Sequence, residues 1–148
     1  MWRHLFKTDG SDVTATLLRV TLGIVFFPHG AQKLLGWFGG AGVSGTMAYF
    51  SSDAVGVPSF VTLFVIIVEF FGSLALIVGF LGRLAAAGIA MVMLGAVFTV
   101  NSAHGFFMNW SGAQAGEGIE FHLLALGMII VVLIRGSGAL SLDQRLSH

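Results

Sequence analysis

Cysteine is absent from the 148 residues, so disulfide exchange and thiolate-held iron–sulfur or zinc centres are excluded from the chemistry this chain can supply. That absence says nothing about compartment. Charge is nearly as scarce: 9% of the residues are Asp, Glu, Lys or Arg, where about 25% is usual in a soluble domain. The net charge is zero, which argues against binding nucleic acid or another polyanion through bulk electrostatics. A cleaved leader is not expected, because Asp9 and Asp12 interrupt the basic N-terminal segment and no small-x-small site follows the first apolar run. Internal repeats and low-complexity tracts are lacking too.

What fills the chain is apolar. Hydrophobic residues make up 56% of it, and the mean hydropathy is +0.93. Four stretches, 13–35, 59–81, 84–103 and 119–134, carry almost no charge except near one end. About 20 helical residues at 1.5 Å rise cross a hydrocarbon core of about 30 Å. The pattern predicts an all-α, four-helix transmembrane bundle, one domain over residues 1–148, with the lipid bilayer as its main partner. Gly79-Phe80-Leu81-Gly82-Arg83 predicts a tight hairpin between spans two and three, and Gly136-Ser137-Gly138 stops span four. Within the long loop 36–58, residues 43–50 read as a short interfacial helix.

Basic residues orient the bundle. Arg3, Lys7, Arg83, Arg135 and Arg145 share one side, with Arg19 near enough to snorkel towards it, and the opposite loops hold only Lys33. The positive-inside rule then puts both termini in the cytoplasm and the polar end of the bundle in the outer half of the membrane.

That polar end is where function is expected, because ionisable groups in lipid are costly. Glu69 falls near mid-membrane and needs a proton or a cation, with Arg19 and His29 as candidate partners. Gly72 and Ser73 share its helical face and invite a close neighbour. After Pro28, which removes a backbone donor and predicts a kink, His29, Gln32 and Lys33 form one stripe suited to a polar or anionic ligand. The bland reading has Lys33 reaching headgroups and Gln32 capping the helix. Beyond span three stand His104, Asn109, Trp110, Glu117, Glu120 and His122. The two glutamates fit a helix N-terminus through the dipole alone. No HxxxH or HExxH spacing supports a metal site of His104, Glu120 and His122, and none supports haem ligation by His29 and His104. Trp37, Phe38, Phe106, Phe107 and Trp110 read as an interfacial aromatic belt, or else as walls for a planar ligand. Ala86, Ala90, Gly88 and Gly95 read as small residues for close helix packing. The Gly39-Gly40-x-Gly42 run lacks the Lys-Ser of a phosphate loop and reads as a turn. His4 and His148 read as solvent-facing.

The chain resembles the DoxX family of small bacterial membrane proteins. The resemblance lies in Leu18-Arg19-Val20 through Phe27-Pro28-His29-Gly30-Ala31-Gln32-Lys33-Leu34 with Gly36-Trp37-Phe38-Gly39-Gly40, and in Glu69-Phe70-Phe71-Gly72 leading to Gly79-Phe80-Leu81-Gly82-Arg83; it draws attention to Arg19 as well as to the residues named below. It continues in His104-Gly105-Phe106-Phe107, Gly116-Glu117-Gly118-Ile119-Glu120 and Gly138-Ala139-Leu140-Ser141-Leu142-Asp143. It implies a multi-pass protein of the bacterial inner membrane, linked to thiosulfate:quinone oxidoreductase subunits or another membrane oxidoreductase complex. The expected cofactor is a quinone, with haem ranked below it. His29, Gln32, Lys33, His104, Trp110 and Glu120 are the expected binding residues, and Glu69 and His29 the proton-handling ones. Lys33, with His104, could also draw a small anion such as thiosulfate. Two other readings stay open: a non-catalytic accessory subunit of a partner oxidoreductase, and a small proton-coupled transporter, which would need a homo-oligomer.

Overall fold

A computed structural model describes residues 6–147; Arg3, His4 and His148 lie outside them. Asp12 opens the first long helix by accepting the Ala15 amide, as a short acidic side chain at an N-cap should. Helix α1 (Val13–Leu35) runs through Pro28 as one helix and stops at Gly36, whose φ of 73° is the left-handed conformation glycine adopts freely. Then follow α2 (Gly42–Phe50), α3 (Ser59–Ile67), a π-helical turn (Val68–Gly72), α4 (Ser73–Val78) and α5 (Gly82–Thr99). A 3-10 turn (Asn101–His104), α6 (Glu120–Arg135) and α7 (Leu142–Leu146) complete the chain. No strand occurs among the described residues.

Three helical rods are long and apolar enough to cross a bilayer: Val13–Leu35, Ser59–Val78 and Gly82–Thr99. Their outer faces are apolar, with Phe60, Phe98 and Leu124 of the neighbouring α6 all strongly exposed, as lipid requires and water does not. The expected third span ends early, at Thr99, and residues 101–104 turn away as a 3-10 segment. The fourth apolar stretch forms α6, whose 16 residues measure about 24 Å. It packs against α1 and α5. The core between the rods holds Leu22, Phe26, Leu76, Ile89 and Ile129.

The close approach of helices falls elsewhere than on Gly72 and Gly95. A Cβ on Gly72 would meet Ile89 at an ordinary 3.7 Å, and one on Gly95 would meet nothing within 4 Å. A Cβ on Gly30 would sit 2.5 Å from the Phe70 amide nitrogen, so α1 touches the π-turn backbone to backbone. Gly23, seven residues earlier, does the same against α4. Of the expected pair, Ser73 does receive a close neighbour: a Cβ on Gly23 would sit 2.8 Å from its carbonyl oxygen. Gly88 keeps its expected packing role against Val68.

One end of the molecule is closed by a polar knot. Arg19 is 1% exposed and does not snorkel. Its guanidinium donates to the carbonyls of Leu76 and Ile77 at 2.7 Å, closing α4, and to Ser137, Ala139 and Leu140 at 2.5, 3.2 and 3.0 Å. Arg83 closes α6 in the same way through the Leu133 and Ile134 carbonyls. Asp143, also 1% exposed, accepts the Leu81 and Gly82 amides at the start of α5 and the Ser137 hydroxyl. Cations thus sit at helix C-termini and an anion at an N-terminus, each on its favoured side of the macrodipole. Arg135 pairs with Asp12 at this same end.

Candidate functional site

At the opposite end the rods separate. Helix α3 packs on α1, α2 and the π-turn, whereas α5 packs on the π-turn, α4 and α6. The two diverge beyond the π-turn and leave a cavity of about 790 Å³. Its walls are apolar: Val61, Phe64 and Val65 from α3, Met91 and Val92 from α5, and Phe26 and Phe121 from α1 and α6. Phe64, Met91, Gly95 and Thr99 line it while remaining exposed, so it opens through the gap between α3 and α5. Ligand sites commonly span about 300–1,000 Å³ with apolar walls and a few polar groups.

Polar groups line it from α1, the π-turn and α6, and Tyr49, Thr99, Asn101 and Glu117 add others. Lys33 and Glu69 form an ion pair at 2.5 Å, from α1 and the π-turn, with side-chain exposures of 22% and 6%. Gly30 makes this pair possible, since its lack of a side chain lets α1 lie on the π-turn one helical turn before Lys33. His29 lines the same cavity, exposed into it, with its ring 6.4 Å from that of Phe26. His122, on α6, lines the cavity and is buried beside Phe121. A charge pair in a low-dielectric wall, with the His29 imidazole near it, can hold a polar group and pass protons to it.

Residues 14–102 match the DoxX family. The chain belongs to that family. It is 31% identical to the Bacillus subtilis (strain 168) protein named "Putative oxidoreductase CatD", over 89% of this chain and 86% of that one. It is 32% identical to the Escherichia coli (strain K12) protein named "Inner membrane protein YqjF", over 92% of this chain and 94% of that one. No solved structure matches it. The apolar rods and the family together make it a membrane protein.

In this DoxX protein the expected site residues divide. His29, Lys33 and Glu69 meet at the cavity. The cation beside Glu69 is Lys33, not Arg19 or His29: Arg19 spends all of its donors on carbonyls at the other end. Gln32 donates to the carbonyl of Phe38, in the loop beyond α1, at 3.2 Å and lines a smaller hollow. His104 lies in the 3-10 turn under Gly116, outside the cavity lining, so it shares no cavity with His29 for a haem or with Lys33 for an anion. Trp110 is 86% exposed and outside the cavity lining, and the cavity's aromatic walls are other residues. Glu120 and Glu117 accept the Met108 and Asn109 amides and so fasten the 105–118 loop. Among the described residues, no three His, Asp or Glu side chains gather to hold a metal ion.

Two further residues matter to this architecture. His122, Ala125, Ile129 and Val132 repeat at offsets of three and four, a spacing in the sequence that marks the buried face of α6. Asp143 entered only through the family resemblance, and its role in capping α5 from 61 residues away has no local signature.

Proposed function

We propose that this DoxX protein takes a quinone from the bilayer into the cavity and serves quinone-linked redox chemistry, as a subunit of a membrane oxidoreductase of thiosulfate:quinone or related type. The observation that carries the reading is the apolar cavity of about 790 Å³, open between α3 and α5, with Lys33–Glu69 and His29 in its wall. A lipid-soluble ring reaches such a gap directly from hydrocarbon, without passing through water. The name of the B. subtilis relative points the same way.

In this reading the bound quinone supplies an acceptor for two electrons from a partner redox protein. His29 donates a hydrogen bond to a ring oxygen. Glu69 relays protons, with Lys33 holding its carboxylate in place. The helix α6 makes a fourth crossing, and both termini lie in the cytoplasm of a bacterial inner membrane. Lys7, Arg83 and Arg135 meeting at one end of the molecule support that orientation.

The test is a reduced-minus-oxidised optical spectrum of the purified protein with a short-tailed benzoquinone, beside its His29→Ala variant. The expected result is a protein-bound quinone signal in the wild type, with about tenfold weaker binding in the variant. A folded wild type that holds no quinone overturns the reading.

A further inference from the structure

Met91, Gly95 and Thr99 stand four residues apart on α5 and so share one face of it. All three are exposed and line the cavity, with Phe64 of α3 on the other side of the gap. A Cβ on Gly95 would meet nothing within 4 Å, so no helix of this chain packs on that glycine. The helix contacts around the cavity run from α3 to α1, from α1 to α6 and from α6 to α5. Among the described residues, no comparable contact joins α5 back to α3. Gly95 therefore stands at the break in the wall.

The chemistry changes across the cavity. His29, Lys33 and Glu69 come from α1 and the π-turn, behind the gap, and Asn101 and Glu117 lie at the loop end. The edge of the gap is apolar by contrast. The Thr99 hydroxyl donates to the Gly95 carbonyl at 2.8 Å and is spent on its own helix. Phe64 and Met91 add only apolar surface. Gly95 is the fourteenth of the 18 residues of α5, about 20 Å along a rod of about 27 Å, which is hydrocarbon depth rather than headgroup depth. Ring oxygens find neither donor nor water at such an edge. A hydrocarbon chain loses nothing there, because the lipid outside is as apolar as the chain itself.

We infer that the gap is the exit for the apolar tail of the bound quinone, so that the ligand class is a ring carrying a long hydrocarbon chain, with Gly95 keeping the passage open. This rests on the quinone reading given above. The ring lies inside, against α1 and the π-turn, and the chain passes between Phe64 and Gly95 into the bilayer. A side chain at position 95 would project into that passage with no neighbour to fold against. Selection at this position acts on the chain and not on the ring.

The test uses the full chain in lipid nanodiscs and two ligands at equilibrium. One is a benzoquinone bearing a long isoprenoid chain, dosed as a mole fraction of the lipid; the other is the same ring with a methyl group in place of the chain. Gly95→Phe is expected to weaken the long-chain ligand about tenfold and to leave the methyl ligand within about threefold of wild type, with Gly95→Leu in between. Gly127→Phe makes the same change on an exposed glycine of α6, outside the cavity lining, where a Cβ also meets nothing within 4 Å, and is expected to alter neither affinity. In the wild type, a long-chain ligand with a photoreactive diazirine near the ring end of its chain is expected to label α3 or the 91–99 segment of α5. That labelling decides alone if Gly95→Phe does not fold. An equal loss for both ligands, no loss for either, or labelling confined to other segments overturns the tail exit while leaving the quinone site in place. If Gly95→Phe instead turns a dimer into monomers, a second copy covers the gap and the tail exit falls. A wild type that binds neither ligand removes both readings.

Discussion

The two ends of this protein bury charge in opposite ways. At one end, Arg19 and Asp143 are saturated by backbone carbonyls, backbone amides and the Ser137 hydroxyl. Every donor of the guanidinium is used, and the groups it satisfies are helix ends and a loop that would otherwise be left open. At the other end, Lys33 and Glu69 satisfy each other beside a cavity that His29 and His122 also line. A saturated cluster has nothing left to offer a ligand, whereas polar side chains beside open space do. Burial of charge alone therefore does not mark a site. What marks it is unspent hydrogen-bonding capacity next to volume.

Paired substitutions break this comparison most sharply. Arg19→Met should cause the largest loss of stability, about 3–5 kcal/mol, because several carbonyls lose their donor at once. Combining it with Asp143→Asn should bring no recovery, since the two serve different backbone groups. Unfolding of the reconstituted protein by detergent titration measures both. At the other end, Lys33→Met or Glu69→Leu alone should cost about 2–4 kcal/mol by stranding the surviving charge, and the double variant should recover most of that loss. A double variant as weak as the worse single would mean that the pair is held by other contacts.

The smallest effect belongs to Asp12. The Ala15 amide first, and Arg135 second, hold its carboxyl below its ordinary value of 3.8. A depressed carboxylate contributes stability that is present above the unfolded value and lost as pH falls through the folded one. Acid sensitivity from this group should thus appear only below about pH 4, and Asp12→Asn should remove it while keeping the N-cap. Thermal unfolding scans across that range would detect it; the same acid loss in Asp12→Asn would assign it to another group.

Much of the fold was legible because lipid allows few solutions. Long runs without charge must become helices, since backbone groups have no water to turn to, and the three bilayer-length rods follow from that constraint. Gly36, Gly79 and Gly136 ended helices as local chemistry requires. Within the site, His29, Lys33 and Glu69 were legible as costly groups in apolar surroundings. Their pairing was not. Assigning Glu69 to Arg19 or His29 failed because hydropathy sets depth along a rod but not which face meets which.

That missing information came from packing. A π-turn at Val68–Gly72 and a side-chain-free contact at Gly30 bring Lys33 to Glu69, and the same turn lets α3 and α5 part. His122 became a cavity residue only once α6 lay against α1. Apolar periodicity and the cost of bare backbone in lipid are local quantities, so residue order along the chain carries them. Which donor meets which acceptor, and where empty volume remains, depends on contacts between residues far apart in sequence, and no local pattern encodes those.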